Sequence, residues 1–232
     1  MDTITEGMIW YFAFIMSTTM HEAAHAFTAM KLGDRTAYLG GQVSLDPLPH
    51  IRREPVGMVV MPVLSFFSGG WMIGWASTPY DAHWARRYPK RSALMSLAGP
   101  AANLSLVLLA AVAIRIGMAY SAFEAPDTVN ALHVTVAPNG GMLASAAVFL
   151  SVMFTLNVVL FVFNMLPLPP LDGSGALPLI LGEGTSGLFM ERLRHPGFAI
   201  FGLIVAWQVF GVVYRPIRLF ALNMLYPGLS YH

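Results

Sequence analysis

The sequence predicts an all-α polytopic membrane protein with about four to six transmembrane helices, and two observations support that fold class. Of its 232 residues, 56% are hydrophobic and only 11% are charged, whereas soluble domains carry about 25% charged residues. Several apolar stretches also reach the roughly 20 residues that a helix needs to cross a bilayer core. The formal net charge of +1 gives no sign of a nucleic-acid partner. We therefore expect one domain, residues 1–232, whose main partner is the lipid bilayer.

Four stretches are long and apolar enough to be predicted as membrane-spanning helices: 7–30, 92–114, 142–166 and 197–214. The N-terminal MDTITEG is acidic and lacks the basic start of a secretory signal. The apolar run after it leads to no small-residue cleavage site. We therefore interpret the first stretch as a retained membrane helix.

A fifth uncharged stretch, 55–80, is predicted to re-enter the membrane without crossing it. Several glycine and proline residues interrupt it. The flanking segments 31–54 and 81–91 carry four Lys or Arg residues each, whereas 119–141 carries none. Basic loops favour the cytoplasmic side, and both basic segments lie there only if 55–80 dips in and returns. An ordinary kinked crossing is the alternative.

The stretch TTMHEAAHAF, residues 18–27, places His21, Glu22 and His25 inside the first apolar run. Residues four apart lie on one helix face, so the two imidazoles can share a metal ion. Glu22 points about 100° away and is free to act as a general base, which is the division of labour in His-Glu-x-x-His zinc enzymes. Because the chain has no cysteine, a metal must be held by His, Asp or Glu.

A catalytic zinc needs a third protein ligand, and the candidate is Asp172 in NMLPLPPLDG, residues 164–173. The prolines of this motif break the third predicted helix, so Asp172 follows its cytoplasmic end. His21 and His25 lie in the cytoplasmic half of the first helix, at a similar depth. The other five histidines lie in predicted loops or tails, where we expect surface side chains.

The motifs HEAAH, LAGPAANL and NMLPLPPLDG, in that order on successive helices, resemble the site-2 protease family of intramembrane zinc metalloproteases. The likeness is to the short prokaryotic type without a PDZ domain. It implies that Zn²⁺ is the cofactor, that His21, His25 and Asp172 are its ligands, and that Glu22 is the catalytic base.

The resemblance also implies a substrate-binding role for Asn164, which would help to hold the substrate backbone or the oxyanion. Asn103 in LAGPAANL is a second substrate-binding candidate, with a hydrogen bond to a neighbouring helix as the alternative. Asn157 is predicted to make an interhelical contact. Residues 40–48, GGQVSLDPL, alternate in polarity and predict a small β-like hairpin near the active site. Its edge could pair with an extended substrate.

The predicted function is a zinc metalloendopeptidase that hydrolyses peptide bonds of transmembrane or membrane-associated protein substrates. We expect a multi-pass protein of the plasma membrane with its active site toward the cytoplasm. One alternative is a metal transporter or metallochaperone that uses the same ligands and would tolerate the loss of Glu22. A second alternative is a catalytically silent relative that only binds membrane helices.

Overall fold

The computed structural model describes residues 2–181, 196–229 and 231, which are predominantly helical. Four long helices, α1, α6, α7 and α10, form the framework of this part of the chain. The helices in chain order are α1 Thr3–Leu32, α2 Thr36–Leu39, α3 Leu48–Arg53, a π-helical turn Val56–Val60, α4 Met61–Gly69, α5 Ala82–Arg87, α6 Pro89–Ala119, α7 Gly141–Asn164, α8 Asp172–Ala176, α9 Pro178–Leu181 and α10 Pro196–Leu225.

Three of the four long helices cover the apolar stretches that the sequence predicts, and α7 ends at Asn164, two residues before the predicted end at 166. Helix α1 begins at Asp2, whose carboxylate accepts the Thr5 N–H at 2.8 Å. It ends at Gly33, which adopts the left-handed conformation (φ 112°) that ends many helices. Helix α10 continues beyond the predicted end at residue 214, through Pro216, to Leu225.

Three helical segments of the described chain are long and apolar enough to cross a membrane: Pro89–Ala119, Gly141–Asn164 and Gly197–Leu225. Helix α1 is not among them. Its 30 residues extend about 45 Å, but three charged residues and two histidines lower its apolar character. The structure thus supports a membrane protein with three candidate spans, and a fourth span through α1 stays a prediction.

The core lies where α1, α6 and α7 meet. Helix α6 packs against both α1 and α7, and α1 also contacts α7. Trp10 and Phe14 of α1, Ile114 of α6 and Val152 of α7 are buried in one hydrophobic cluster. In the most apolar stretch of each helix, 61% of α7 but only 11% of α10 is buried. Helix α7 is therefore central, whereas α10 turns most of its surface outward, as a lipid-facing helix does.

Residues 55–80 double back on themselves. The Trp75 N–H donates to the Gly57 carbonyl at 3.1 Å, and the Ser77 hydroxyl donates to the Glu54 carboxylate. The helical part of this segment covers 14 residues and is about 21 Å long, shorter than a bilayer core of about 30 Å. These two hydrogen bonds hold the beginning and the end of the segment close together.

The small β-like hairpin predicted at residues 40–48 does not form, because this segment consists of turns and bends. The Asp46 N–H donates to Ser44 Oγ at 3.0 Å, and the Leu48 N–H donates to Asp46 Oδ1 at 2.9 Å. Such local side-chain bonds compete with the ladder of a β-sheet for backbone groups. In the described residues, β-type pairing is limited to one isolated bridge in the loop between α6 and α7.

Candidate metal and catalytic site

The side chains of His21, His25 and Asp172 converge on one point, and we call these three residues the metal triad. His21 Nε2 lies 3.1 Å and His25 Nε2 lies 3.3 Å from Asp172 Oδ2, and the two Nε2 atoms are 3.0 Å apart. The histidines share a face of α1 and are 7% and 5% exposed. Asp172 is the first residue of α8, which follows the proline-rich break after α7. The structure therefore brings together the three residues that the sequence predicts as ligands.

A chain of buried amides, which we call the Asn relay, sets the tautomer of His21. The Met153 carbonyl can only accept a hydrogen bond, so Asn157 Nδ2 donates to it at 2.8 Å. Asn157 Oδ1 therefore accepts from Asn103 Nδ2 at 2.8 Å. This leaves Asn103 Oδ1, 2.6 Å from His21 Nδ1, as an acceptor. From this network we assign the His21 proton to Nδ1, which leaves the Nε2 lone pair free for a metal.

His25 is held in the same tautomer by a backbone group. Its Nδ1 lies 2.7 Å from the Met95 carbonyl, which can only accept. Gly99 of α6 makes room for both rings, since a Cβ at this position would collide with Nε2 of His21 and of His25. The glycine of LAGPAANL therefore lets α6 approach the edges of the imidazoles.

The donor set of the metal triad fits Zn²⁺. With both imidazole protons on Nδ1, two nitrogen lone pairs and Asp172 Oδ2 face one another without a proton between them, and that oxygen has no hydrogen-bond partner. Such a group of acceptors is suited to bind a cation. Tetrahedral zinc with bonds of about 2.0–2.1 Å separates its ligands by about 3.3–3.4 Å, close to the observed 3.0–3.3 Å. Three protein ligands leave one position open, as in catalytic zinc sites.

Glu22 lies beside the metal triad without belonging to it. Its side chain is buried, with 6% of the residue exposed. Its Oε2 accepts a hydrogen bond from the Thr78 hydroxyl at 2.7 Å, and the same hydroxyl is 3.0 Å from the Glu22 backbone carbonyl. Among the described residues, nothing donates to Oε1, so one carboxylate oxygen is available to accept a proton.

Thr78 belongs to the segment between α4 and α5, residues 70–81, which we call the return segment. The segment is anchored to two different parts of the chain. Gln42 Nε2 donates to the Ser77 carbonyl at 3.3 Å, and the Ser77 hydroxyl also accepts from Arg53 Nε at 3.2 Å. The return segment therefore crosses Glu22 in a defined position.

Asp34 ties the end of α1 to the end of the return segment. Its carboxylate accepts the Thr36 N–H at 2.9 Å and the Asp81 N–H at 2.8 Å. Burial raises the pKa of Asp34, but the hydrogen bonds from Thr36 and Asp81 more than offset this, so the pKa lies below its usual value. The ionised carboxylate thus bridges the two chain segments that meet at Glu22.

The two predicted substrate-binding asparagines occupy different surroundings. Asn103 is fully buried and bonded to His21 and Asn157, so its placement does not favour a substrate contact. The interhelical contact predicted for Asn157 is confirmed, because this α7 residue also donates to Ser17 of α1 at 2.9 Å. Asn164, the last residue of α7, is partly exposed and its amide has no hydrogen bond within the described chain.

An apolar groove runs beside α1 over the two turns that carry the histidines. Its volume is about 330 Å³. Small alanine side chains form much of its lining, which leaves space for apolar side chains of another molecule. The groove is lined by Met20, Ala23, Ala24 and Phe27 of α1, residues 43–45 and Ala102 of α6.

Comparison with known proteins gives consistent matches. The profile of Peptidase family M50 matches residues 9–206. "Putative zinc metalloprotease YwhC" of Bacillus subtilis is 32% identical over 188 residues, which are 81% of this chain and 75% of that protein. "Putative zinc metalloprotease Rip2" of Mycolicibacterium smegmatis is 32% identical over 74% of this chain and 56% of its own length. Rip2 of Mycobacterium tuberculosis (strain H37Rv) is 31% identical over 86% and 69%. No solved structure matches the chain significantly.

Proposed function

From the premise that this chain belongs to peptidase family M50 and is an intramembrane zinc metalloprotease, we propose that it is an endopeptidase for transmembrane or membrane-associated proteins. Its zinc ligands are His21, His25 and Asp172, and its general base is Glu22. Of the functions that the sequence leaves open, the family match and the names of the relatives support the protease over the metal transporter and the silent relative.

The observation that carries the proposal is the convergence of the metal triad beside a separate buried carboxylate. The Nδ1–H tautomers of both histidines leave their Nε2 lone pairs directed at Asp172 Oδ2. Glu22 is buried next to this group and keeps one oxygen free of hydrogen bonds in the described chain. A site that only stores or transports a metal has no need of such a base.

The residues divide the work of peptide hydrolysis. The chemistry that bound Zn²⁺ supplies is Lewis acidity toward the scissile carbonyl and a lowered pKa for water. Glu22 accepts a proton from the attacking water and passes it to the leaving amine. The partly exposed amide of Asn164 binds the substrate backbone near the cut. Asn103 acts from behind His21 as a positioning residue.

The substrate enters as a locally unwound segment, because an intact helix hides its carbonyls in backbone hydrogen bonds. The apolar groove beside α1 supports this substrate class, since it offers lipid-compatible space close to the turns that carry the histidines. We expect preferred substrates to carry helix-weakening residues near the scissile bond.

The active site faces the cytoplasmic side of the plasma membrane. The contact between the two ends of residues 55–80 supports re-entry of this segment, which places both basic loops on one side. The positive-inside tendency then makes that side the cytoplasm. Residues 1–232 act as one catalytic domain.

The test compares purified wild type with Glu22→Gln. Zinc content is measured together with cleavage of a set of synthetic transmembrane peptides that contain glycine or proline near the centre. The proposal expects about one zinc per chain in both proteins and cleavage by the wild type alone. Cleavage by Glu22→Gln, or zinc in both proteins without cleavage of any peptide, contradicts it.

A further inference from the structure

The carboxylate of Glu22 has one side-chain partner in the described chain, the hydroxyl of Thr78. The Oγ1–Oε2 distance of 2.7 Å is typical of a well-formed O–H···O hydrogen bond. The contact joins residues 56 positions apart in the sequence. It arises because the return segment, and not the helix that carries Glu22, supplies the donor.

Just before Thr78, the backbone of the return segment packs closely against the π-helical turn. The Trp75 N–H donates to the Gly57 carbonyl at 3.1 Å. Gly57 and Gly74 lie so close together that an added Cβ would collide with a backbone carbonyl. At Gly57 it would meet the carbonyl of Trp75, and at Gly74 that of Gly57. Glycine at both positions therefore permits this packing, which fixes the chain three residues before Thr78.

We propose that Thr78 is a positioning residue that orients the Glu22 carboxylate for proton transfer. This inference rests on the proposed function, in which Glu22 is the general base. By occupying Oε2, the Thr78 hydroxyl selects Oε1 as the oxygen that takes the proton. The return segment thus has a part in catalysis that no ligand motif reveals.

A hydroxyl is suited to this role because it both donates and accepts hydrogen bonds. It donates to Oε2 while Glu22 is ionised. When Glu22 carries the proton, the Thr78 hydrogen can rotate to the Glu22 backbone carbonyl, which lies 3.0 Å from Oγ1. One side chain therefore holds the base before and after proton transfer without a change in the backbone.

The kinetic test compares Thr78→Val, which removes the hydroxyl and keeps the shape, with Thr78→Ser, which keeps the hydroxyl. Misplacement of a catalytic group lowers the rate by about 10- to 100-fold, so we expect kcat of Thr78→Val to fall in this range. KM should change by less than about twofold, because the lost interaction does not bind substrate. Thr78→Ser should recover most of kcat, and zinc content should match that of the wild type in both variants.

The matched control is Thr135→Val. Thr135 is buried, and its hydroxyl donates to the Glu124 carbonyl at 3.1 Å in the loop between α6 and α7. This variant removes a bonded hydroxyl without touching the return segment, so kcat should stay at the wild-type value. Equal kcat losses in Thr135→Val and Thr78→Val would assign the effect to general destabilisation and overturn the proposal.

A second measurement needs no activity and so separates this inference from the proposed function. The midpoint of thermal unfolding is compared in metal-free wild type, Thr78→Val, Glu22→Ala and the double variant. If the two groups are bonded, Thr78→Val should lower the midpoint far less in the Glu22→Ala background than in the wild type.

Additive shifts of the midpoint, or a kcat of Thr78→Ser as low as that of Thr78→Val, overturn the role of Thr78. Cleavage by Glu22→Gln overturns the proposed base instead.

Discussion

The side chain of Asn103 controls His21 through one hydrogen bond, 2.6 Å between Oδ1 and Nδ1. Asn103 is itself oriented by Asn157, whose amide is anchored on the Met153 carbonyl. All of these groups are buried, so water cannot replace a missing partner. Partners of this kind commonly set both the orientation and the tautomer of metal-binding histidines.

Asn103→Leu is expected to weaken zinc binding by about 10- to 100-fold, the usual effect of losing such a partner. Without the Asn103 acceptor, His21 can place its proton on Nε2, where it blocks the metal. Titration with chelator-buffered zinc measures the affinity. Ser17→Ala is the control: it removes a hydroxyl that accepts from Asn157, but Asn157 keeps its bond to the Met153 carbonyl. Unchanged affinity in Asn103→Leu would contradict the role of the Asn relay.

Gly99→Ala is expected to reduce the zinc content to a small fraction of the wild-type value. The added Cβ would occupy the space of both Nε2 atoms, so α6 or the rings must move. Metal analysis of the purified protein measures the loss. Gly211→Ala, on α10, is the control because its Cβ would have no neighbour within 4 Å. Equal zinc in the two variants would refute the close approach of α6.

At this scale, the sequence predicts the residues that carry a local signal. His21, Glu22 and His25 follow from their spacing on one helix, and Asp172 follows from its place after a proline-broken helix. The partners of these residues could not be predicted in the same way. The contacts of Asn103 with His21 and of Thr78 with Glu22 depend on how distant segments are rotated against one another, and neither spacing nor composition encodes that rotation.

Among the elements, the return segment connects the scaffold to Glu22, the proposed general base. It runs back along the π-helical turn and α4, packs on Gly57 and ends at the bond between Asp81 and Asp34. The charge balance of the flanking loops predicts that residues 55–80 re-enter the membrane. Their internal contacts show that the chain doubles back, and re-entry itself stays a prediction. The β-like hairpin predicted at 40–48 does not form. Alternating polarity indicates a strand only weakly, and here the Ser44 and Asp46 side chains bind the backbone N–H groups that a strand would need.

Gly74→Ala is expected to destabilise the protein by about 1–3 kcal/mol, the usual effect of overpacking, and to lower the cleavage rate. The new Cβ would collide with the Gly57 carbonyl and push the return segment away from Glu22. Thermal unfolding and peptide cleavage measure the two effects. Gly69→Ala is the control within the same segment, residues 55–80, since its Cβ would lie 3.8 Å from the nearest side-chain atom. A Gly74→Ala protein as active as Gly69→Ala would count against the proposed coupling.

For the whole molecule, the order of the long helices determines which side chains can meet. Helices α1, α6 and α7 share one core, and α10 packs on α7 at the periphery. The long apolar stretches of the sequence predict these four helices, although α1 carries too many polar residues to count among the candidate spans. Hydropathy does not predict that α10 extends through Pro216, since proline is an ambiguous stop signal in an apolar helix.

The proposed orientation in the membrane can be tested by labelling single cysteines, because the chain contains no cysteine of its own. Single cysteines are introduced at two exposed positions, Ala82→Cys beside a basic loop and Thr128→Cys in the loop between α6 and α7. A membrane-impermeant maleimide should label Thr128→Cys in intact cells and Ala82→Cys only after permeabilisation. The reverse pattern would place the active site toward the outside.

The Asn relay joins Asn103 of α6 and Asn157 of α7 to His21 of α1, and the metal triad joins α1 to Asp172 of α8. When only α1 and α6 have been synthesised, His21 and His25 are present but Asn157 and Asp172 are not. With the proposed ligand set, the site would therefore be complete only after α7 and α8 have been inserted. The order of synthesis would thus delay the onset of activity until the third proposed ligand, Asp172, is in place.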